Sequence, residues 1–500
     1  MFTDSLLLSL AQRIDSQYAL RHDPKIKPLA YGTAGFRTTG ELLPPVAARV
    51  ITIAILRAWF CGARQAPERQ CATCSVGFMI TASHNRAFDN GFKIIDTNGG
   101  MLAASWEHWC TEAANAVTGA ELVSVIKKCV GTEEIKHVSE FKSPCGVVLI
   151  GRDTRETGAT IEAAAADILS IVLQIPFTAY GVLTTPQLHY MVERANESDA
   201  VADHIKLDAY HEQILSSFEE LLTYTNKENV KGSLSPQSVV VDCANGVGAL
   251  GMQRLLSYSR SRAKGDILSE VFSLELVNDI VENPALLNEN CGADYAKLHA
   301  RPSESMRKWP LSGSAIVDSA KTHFYCLDGD SDRLVAFFYN NRSNNDWVLL
   351  DGDRIAILYA MLLHKWLGEK HMRELDVGVV QTAYANGAST DFLKSKLRMP
   401  VYIAATGVKN LHPVAHARDI GVYFEANGHG TMLLSDKLVK GGCAAHSENL
   451  MSLMNNLRGL LSQVCGDAIG DLLMCEVALQ ALDMSFEDWA ALYADRPCNN

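Results

Sequence analysis

The stretch VGFMITASHNRAFDNGFK, residues 76–93, places many polar side chains directly after a short apolar run. The run VGFMI is typical of a buried β-strand, and TASHN follows at its carboxyl end. In α/β sheets the chemistry lies at the carboxyl ends of the strands. Ser83, His84 and Lys93 are therefore candidate functional residues.

Three further apolar runs show the same succession of strand, polar or glycine turn, and helical pattern. They are GVVLI (146–150), SVVVDC (238–243) and VGVVQ (377–381). This alternation predicts βαβ units with mixed or parallel sheets, so the predicted fold class is α/β. Because 500 residues exceed what one hydrophobic core holds, we expect two to four domains.

The composition excludes several classes of protein. With 48% apolar and 20% charged residues, the chain is typical of a soluble globular protein. Its net charge of −12 argues against a general nucleic-acid binder, because such proteins neutralise phosphates with clustered lysine and arginine. The N-terminal MFTDSLLLSLAQRI lacks the basic region of a signal peptide and predicts an amphipathic helix. The uncharged stretch 168–192 predicts a helix and a strand rather than a membrane span.

Thirteen cysteines are scattered along the chain, and Cys71 and Cys74 form the one close pair. A zinc site would need a second pair, and none follows at a suitable spacing. A thioredoxin-like site at this pair is the alternative. The pattern favours reduced thiols, so we expect a cytoplasmic protein.

The motif CLDGDSDRL (326–334) carries the sharpest chemical signal. Asp328, Asp330 and Asp332 alternate along it between apolar flanks, and three carboxylates this close repel one another in a partly buried site. A divalent cation removes that cost, and oxygen ligands favour Mg²⁺ or Ca²⁺ over zinc. The alternative is a solvated acidic turn. The neighbouring Arg333 could hold a phosphate or one of the carboxylates.

Two arginine-bearing loops are candidate anion contacts. YGTAGFR (31–37) ends in Arg37, and GRDTR (151–155) holds Arg152 and Arg155 after a predicted strand. Taken singly, each loop is better explained as a structural turn with an exposed arginine.

The segment VVVDCANGVGALG matches the dinucleotide-binding pattern G-x-G-x-x-G at Gly246, Gly248 and Gly251. Asp266 lies near the offset expected for a ribose contact, but no second strand ends cleanly there. A tight strand-to-helix turn is the favoured interpretation, and a nucleotide-dependent oxidoreductase is the weaker one.

A second glycine loop, YFEANGHGTML (423–433), clusters Glu425, Asn427, His429 and Thr431. Carboxylate, amide and imidazole groups suit recognition of sugar hydroxyls, although a plain polar turn explains the motif equally well. Ser83 and His84 do not form a hydrolase pair, because the G-x-S-x-G elbow is absent. A phosphorylated Ser83 would instead supply an anion for the metal and the arginines.

Taken in order, these motifs resemble those of the α-D-phosphohexomutase superfamily. The shared motifs are TASHN, NGFK, DGDSDR and EANGHG. Longer segments are similar to one branch, the phosphoacetylglucosamine mutases, from about residue 28 onward. They are YGTAGFR, GVLTTPQLHYMV, VVQTAYANG, TGVKNLH and GVYFEANGHGT.

The resemblance implies repeated mixed α/β domains around a central cleft. It implies 1–192 with the serine loop, 193–345 with the metal loop, 346–460 with the sugar loop, and 461–500 as a helical linker or the start of a fourth domain. It also implies interconversion of N-acetylglucosamine 6-phosphate and 1-phosphate, through a phosphorylated serine and a bisphosphate, for UDP-N-acetylglucosamine synthesis. A sugar bisphosphate would be the activator, and no nucleic acid, membrane or obligate protein partner is expected.

The family's functional residues carry over to matching positions. One Mg²⁺ per chain would be bound by phosphorylated Ser83, Asp328, Asp330 and Asp332. Arg37, Lys93 and His429 would act as acid, base or phosphate contacts, Arg333 would stabilise the transferring group, and His84 would shape the serine loop. The substrate would be bound by Glu425, Ala426, Asn427, Gly428, Thr406, Gly407 and Lys409.

The sequence departs from the family pattern in two places. Arg86 stands where the family has proline after TASHN, which would loosen the loop or add a phosphate contact. The family's C-terminal loop resembling RPSGT has no counterpart after WAALYADRP, so weaker substrate binding and turnover are expected. A non-catalytic or impaired phosphosugar-binding relative, and a mutase for glucose or mannose phosphates, are the alternatives.

Overall fold

The computed structural model describes nine segments of the chain. They are 3–20, 28–65, 74–132, 146–197, 206–228, 236–311, 321–340, 346–439 and 448–497. The chain forms two compact units, residues 1–207 and 208–500, and each is described by itself.

The first unit contains one five-stranded sheet with helices on it. Its strands are β1 (Phe36–Thr39), β2 (Cys74–Ile80), β3 (Asp89–Ile95), β4 (Gly146–Arg152) and β5 (Phe177–Val182). Its helices are α1 (Asp4–Gln17), α2 (Leu43–Gln65), α3 (Ala104–Asn115), α4 (Gly119–Val130), α5 (Gly158–Asp167, continued by a π-helical turn to Leu173) and α6 (Thr185–Glu197). The strand order is β1-β3-β2-β4-β5. Strands β2, β4 and β5 run parallel to one another, and β3 is antiparallel to both of its neighbours, β1 and β2.

An aromatic cluster fixes one face of this sheet. Phe92 on β3 packs against Phe36 on β1 and stacks on Phe78 of β2, with ring centroids 5.4 and 4.8 Å apart. All seven residues of β2 are buried, which explains why its last five residues, VGFMI, form an unbroken apolar run rather than an alternating one. The strand that precedes the serine loop is therefore held rigidly.

One helical stretch among the described residues, Gly40–Cys61, is long and apolar enough to cross a membrane. In its most apolar window, 78% of the residues are buried inside the unit, so its apolar surface is used for packing. Arg49 on this helix is fully buried and donates to the carbonyl oxygens of Tyr18, Pro45, Ala116 and Val117.

The second unit contains two sheets. The strands are β6 (Gln237–Asp242), β7 (Phe272–Val277), β8 (His323–Leu327), β9 (Leu334–Asn340), β10 (Asp346–Leu350), β11 (Val377–Thr382), β12 (Val401–Ala404), β13 (Ile420–Phe424) and β14 (Gly430–Leu434). The first sheet has the order β10-β9-β8-β6-β7 and the second β12-β11-β13-β14. The longer helices are α7 (Leu207–Glu228), α8 (Val247–Ser261), α10 (Gly292–His299), α12 (Gly352–Glu374), α14 (Val408–His416), α16 (Glu448–Leu460) and α17 (Ala468–Leu482). The short ones are α9 (Ile267–Val271), α11 (Glu304–Lys308), α13 (Gly387–Asp391), α15 (Asp436–Val439) and α18 (Phe486–Ala490).

Helix α17 lies in the interior of the second unit, and its acidic side chains bond to three other elements. Asp467 caps the helix and accepts from the Tyr210 hydroxyl on α7 at 2.7 Å. Asp471 accepts from Tyr359 on α12 at 2.9 Å, and Glu476 lies 2.7 Å from both His323 Nδ1 and the Tyr325 hydroxyl on β8. Burial raises the pKa of Asp467 to about 6, since the ionised form is desolvated there.

The structure confirms the predicted α/β class with repeated mixed sheets, the N-terminal helix and the two helices after residue 465. The predicted boundary at 345/346 falls between two paired strands, because Asp346 on β10 pairs with Asn340 on β9. The five-stranded sheet of the second unit therefore continues to Leu350, and the other domain limits stay predictions. Residues 341–345 and Cys71 lie outside the described residues, whereas the nine described cysteines are free thiols.

Candidate active site

The serine loop, residues 81–89, starts where β2 ends, and β4 is the parallel neighbour of β2 in the sheet. Ile80 of β2 pairs with Arg152 of β4, so Thr81 and Asp153 follow two parallel strands at the same sheet edge. Ser83 is 1% exposed and adopts φ +49°, a left-handed conformation unusual for a side-chain-bearing residue. Its Oγ lies 3.4 Å from Nδ1 of the half-buried His84. Such backbone strain is common at functional positions.

Strands β1 and β3 bring Arg37 and Lys93 beside this loop. Arg37 pairs with Gly91, and Lys93 lies two residues further along β3, so both side chains are on one face of the sheet. The approach requires glycine, because a Cβ on Gly91 would lie 2.3 Å from the Phe36 oxygen and one on Gly35 2.2 Å from the Phe92 oxygen. The Arg37 guanidinium donates to Asn85 of the serine loop at 3.3 Å.

The sequence predicts a structural turn with exposed arginines at GRDTR, and for Arg155 the predicted exposure is wrong. Arg155 is 1% exposed and forms a buried ion pair with Asp153 at 3.0 Å. Its other donors bond to carbonyl oxygens of the serine loop. Arg152 is half-buried and pairs with Glu162 on α5 at 2.8 Å. Neither neighbour was identified from the sequence.

The three aspartates of the metal loop follow β8 and converge. The side chains of Asp328, Asp330 and Asp332 are buried, and their ligand oxygens lie within 4.8 Å of one another. Burial, followed by repulsion from the other two carboxylates, raises the pKa of Asp328 well above its usual range. The solvated-turn alternative is therefore wrong, since a buried cluster of this kind is costly without a cation.

Arg333 stands beside this cluster and is oriented by helix α10. Its Nη1 donates to both carboxylate oxygens of Asp294 at 2.8 and 2.9 Å, and its Nε lies 3.8 and 3.7 Å from Asp328 and Asp332. Burial by itself would lower the pKa of Arg333, but the surrounding carboxylates, led by Asp294, raise it. The guanidinium therefore stays charged next to the predicted metal site.

The glycines of VVVDCANGVGALG serve the metal loop. A Cβ on Gly246 would lie 2.5 Å from the Gly329 oxygen, and one on Gly248 would lie 2.9 Å from the Leu327 side chain. Val247 N donates to the Gly329 oxygen at 3.1 Å, which docks the start of α8 on the loop. Asp266 caps α9 instead of following a strand. The oxidoreductase alternative loses its support, because these glycines accommodate protein backbone.

The predicted sugar loop follows β13, and its residues order one another. Glu425 accepts from the backbone N–H of Gly407 at 2.8 Å, which ties the start of α14 to the loop. Asn427 accepts from His429 N at 3.1 Å. Thr406 is exposed and Lys409 half-buried, while Thr431 is buried and donates to the Ser462 carbonyl at 2.8 Å. Thr431 therefore has a structural partner.

The sugar loop contacts the metal loop directly. Leu334 N donates to the Gly428 oxygen at 3.1 Å, and His429 Nδ1 lies 3.9 Å from Asp332 Oδ1. Gly428 has φ +89°, and a Cβ there would lie 2.0 Å from the Leu334 oxygen. Gly466 packs against both loops: a Cβ on Gly466 would lie 2.3 Å from the Asp332 carbonyl oxygen and 2.8 Å from Cδ2 of His429. Sequence reasoning missed Gly466, because nothing around it signals a site.

The donor set fits a hard divalent cation. Three buried carboxylates offer oxygen ligands, and their mutual repulsion is relieved when a divalent charge is bound between them. His429 Nδ1 lies 3.9 Å from Asp332 Oδ1, which places this imidazole next to the cluster. The chemistry favours Mg²⁺ over zinc.

Comparisons with known proteins place these loops in a family. Family models match at 36–120 (phosphoglucomutase/phosphomannomutase, alpha/beta/alpha domain I), 199–335 (phosphoacetylglucosamine mutase AMG1, domain II) and 351–484 (domain III of the same). Phosphoacetylglucosamine mutase of Candida albicans is 35% identical over 502 residues, covering 98% of this chain and 85% of that protein. The chain belongs to the phosphoacetylglucosamine mutase family. The human member is 37% identical over 488 residues, with 96% and 81% covered.

Solved structures of phosphoacetylglucosamine mutases share the fold. A crystal structure of N-acetylglucosamine-phosphate mutase in its substrate complex matches with a TM-score of 0.81 at 34% identity, covering 98% of this chain and 84% of that chain. The Aspergillus fumigatus enzyme in complex with GlcNAc-6P and magnesium matches with a TM-score of 0.80 at 32% identity, covering 99% and 84%. The predicted phosphohexomutase architecture is confirmed, and the chain is an isomerase of this type.

Proposed function

We propose that this enzyme interconverts N-acetylglucosamine 6-phosphate and N-acetylglucosamine 1-phosphate through a phosphorylated Ser83 and a sugar bisphosphate. The observation that carries the proposal is the strained, buried Ser83 in one unit together with the buried aspartate cluster in the other. Relatives crystallised with GlcNAc-6P and magnesium, and a serine-to-alanine variant crystallised with glucose 1,6-bisphosphate, support the same chemistry.

The reaction has two phosphoryl transfers. In the first, the bond between phosphorus and Ser83 Oγ breaks, and phosphorus bonds to the free hydroxyl oxygen of the sugar. That hydroxyl loses its proton to a protein base, and Ser83 Oγ regains a proton. In the second, Ser83 Oγ gives up its proton and takes the other phosphate, while the released sugar oxygen is protonated. Arg37, Lys93 and His429 are the proposed proton carriers or phosphate contacts.

Positioning and charge neutralisation supply most of the catalysis in such transfers. Arg333 is charged, buried and held by Asp294, so it offers a preorganised cation for the phosphoryl oxygens. Mg²⁺ bound by Asp328, Asp330 and Asp332 would add a second positive charge there. His84, half-buried beside Ser83 Oγ, shapes the serine loop in this proposal.

The sugar is recognised by the loop after β13. Glu425 has one carboxylate oxygen bonded to Gly407 N, which fixes the side chain and leaves acceptor capacity for ring hydroxyls. We place Ala426, Asn427 and Gly428, together with Thr406 and Lys409, in the substrate site. The proposal includes a cytoplasmic location, supply of UDP-N-acetylglucosamine synthesis, a sugar bisphosphate activator, and no nucleic-acid, membrane or obligate protein partner.

The test is a coupled mutase assay on this chain with N-acetylglucosamine 6-phosphate, Mg²⁺ and glucose 1,6-bisphosphate. Ser83→Ala should abolish turnover, because no hydroxyl remains to carry phosphate. Ser170→Ala is the matched control, since Ser170 is exposed on the π-helical turn and bonds only to the Ala166 carbonyl.

The outcomes of this assay distinguish the proposed function from its alternatives. Turnover in the parent and in Ser170→Ala, but not in Ser83→Ala, supports the proposal. Turnover that survives Ser83→Ala overturns the phosphoserine route. A higher kcat/KM for glucose or mannose 6-phosphate overturns the sugar assignment, and absence of turnover in the parent shows a non-catalytic or impaired relative.

A further inference from the structure

Arg155 uses every donor it has on the serine loop and its support. Its Nε donates to Asp153 Oδ2 at 3.0 Å. Its Nη1 donates to the carbonyl oxygens of Arg86 and Asp89 at 2.7 and 2.9 Å, and its Nη2 to those of Ser83 and Asn85 at 2.8 and 2.9 Å. A guanidinium has five N–H groups, so four are satisfied by carbonyl oxygens of the serine loop and the fifth by Asp153.

Asp153 and Thr81 extend this network to the reacting residue itself. The Thr81 hydroxyl donates to Asp153 Oδ2 at 2.8 Å and accepts from the backbone N–H of Ser83 at 2.9 Å. Asp153 Oδ1 accepts from Arg155 N at 3.0 Å. Both side chains of the Asp153–Arg155 ion pair have zero exposure. The backbone of Ser83 is therefore held at its N–H by Thr81 and at its carbonyl by Arg155.

We infer that Thr81, Asp153 and Arg155 are positioning residues that fix the left-handed backbone of Ser83 for phosphoryl transfer. The inference rests on the proposed function. Two physical effects follow from the geometry. The network holds φ +49° against its intrinsic cost, so Ser83 Oγ keeps one direction. It also turns four carbonyl oxygens toward a buried cation, which keeps their negative ends away from an anionic phosphate on Ser83.

The same network also holds the loop at Arg86. Arg86 is exposed, and it stands where the resemblance to the family implies proline. The Arg86 carbonyl nevertheless receives two donors, Arg155 Nη1 at 2.7 Å and Asp89 N at 3.1 Å. Hydrogen bonds therefore fix the backbone of the loop at this position.

The experiment compares Thr81→Val with Thr81→Ser, and adds Arg155→Lys. Valine matches threonine in shape but has no hydroxyl, whereas serine restores it. Lysine keeps the charge of Arg155 but offers at most three donors from one point, so it cannot serve five acceptors. For each variant we would measure kcat, KM for N-acetylglucosamine 6-phosphate, the extent of Ser83 phosphorylation by intact mass, and Tm.

We expect kcat to fall by about 10- to 100-fold in Thr81→Val, as for a misplacement of roughly 1 Å, with KM changed less than about twofold. Thr81→Ser should recover kcat to within about threefold of the parent, and Arg155→Lys should fall at least as far as Thr81→Val. Loss of kcat in Thr81→Val with rescue by Thr81→Ser supports the inference even if Arg155→Lys does not fold.

An active parent with kcat unchanged in folded Thr81→Val overturns the inference and leaves the proposed function standing. A loss that appears only in Tm, or equally in Thr81→Ser and Thr81→Val, also overturns it, because the hydroxyl network would then have no effect on transfer. Absence of turnover in the parent overturns the proposed function instead, and the two failures are therefore distinct.

Discussion

Adding a single methyl group at Gly466, as in Gly466→Ala, should displace the metal loop and impair catalysis. Gly466 lies between α16 and α17, outside every motif that carries chemistry. A Cβ there would lie 2.3 Å from the Asp332 carbonyl oxygen and 2.8 Å from Cδ2 of His429. Ordinary van der Waals contact for a Cβ begins near 3.4 Å, so the metal loop must retreat by about 1 Å in Gly466→Ala.

The expected magnitude follows from that displacement. A shift of about 1 Å in a catalytic group costs roughly 100-fold in rate, or about 3 kcal/mol of transition-state stabilisation. The overpacking itself should cost roughly 1–3 kcal/mol of unfolding free energy. Because Asp332 is one of three carboxylates within 4.8 Å, Mg²⁺ affinity should fall together with kcat/KM.

The assay is kcat/KM with N-acetylglucosamine 6-phosphate beside Mg²⁺ titration by calorimetry, with Tm as the check on folding. Gly387→Ala is the matched control in the same unit, since its Cβ would meet only the flexible end of the exposed Arg496 at 3.3 Å. If folded Gly466→Ala keeps kcat/KM and Mg²⁺ affinity within twofold of the parent, the contact between Gly466 and the metal loop does not position Asp332, and the reasoning is refuted.

Three further predictions concern acidic residues of the second unit. Asp330→Asn should weaken Mg²⁺ binding by roughly tenfold or more in calorimetry, since it removes one of three carboxylate ligands, and an unchanged affinity would exclude Asp330 from the site. Asp294→Asn should lower kcat by about tenfold with little change in Mg²⁺ affinity, because Arg333 loses the carboxylate to which it donates. Equal losses in kcat and Mg²⁺ affinity would contradict a role of Asp294 through Arg333 alone. The pKa of Asp467 is raised from 3.8 to about 6, so its contribution to stability is lost as pH rises through about 6. Relative to the parent, Asp467→Asn should therefore gain roughly 2–3 kcal/mol of unfolding free energy between about pH 4 and pH 7 in urea titrations. A difference that does not change with pH would show that folding does not raise the pKa of Asp467.

The structural positions of the candidate residues could be predicted because buried strands and polar loops differ in sequence. Ser83, Asp328 and Glu425 each come within a few residues of a fully buried apolar strand, namely β2, β8 and β13. Polar residues that directly follow such runs lie at the carboxyl ends of the strands, and the structure places all three residues there. Their roles stay predictions, since the motifs locate side chains without showing what they bind.

The partners of buried charges could not be predicted in the same way. Arg155 was interpreted as an exposed arginine because a basic residue in a polar turn is usually solvated. Its burial depends on four carbonyl groups from 83–89, which are far away in sequence and identical in every residue type. Asp153, two positions earlier, was the one available signal, since an acidic residue so close can neutralise a buried arginine.

Glycine explains why one motif misled while others did not. The pattern at Gly246 suits a loop that lets a phosphate approach the backbone, yet here the approaching group is the backbone of Gly329. Gly35, Gly91 and Gly428 serve the same purpose, because a Cβ at each would lie within 2.5 Å of another main-chain oxygen. Close approach is a steric requirement that takes no account of what approaches, so glycine spacing alone does not distinguish a ligand from a neighbouring loop. The acidic residues distinguish the two, because a buried carboxylate cluster, as at Asp328, favours binding of a cation from outside the chain.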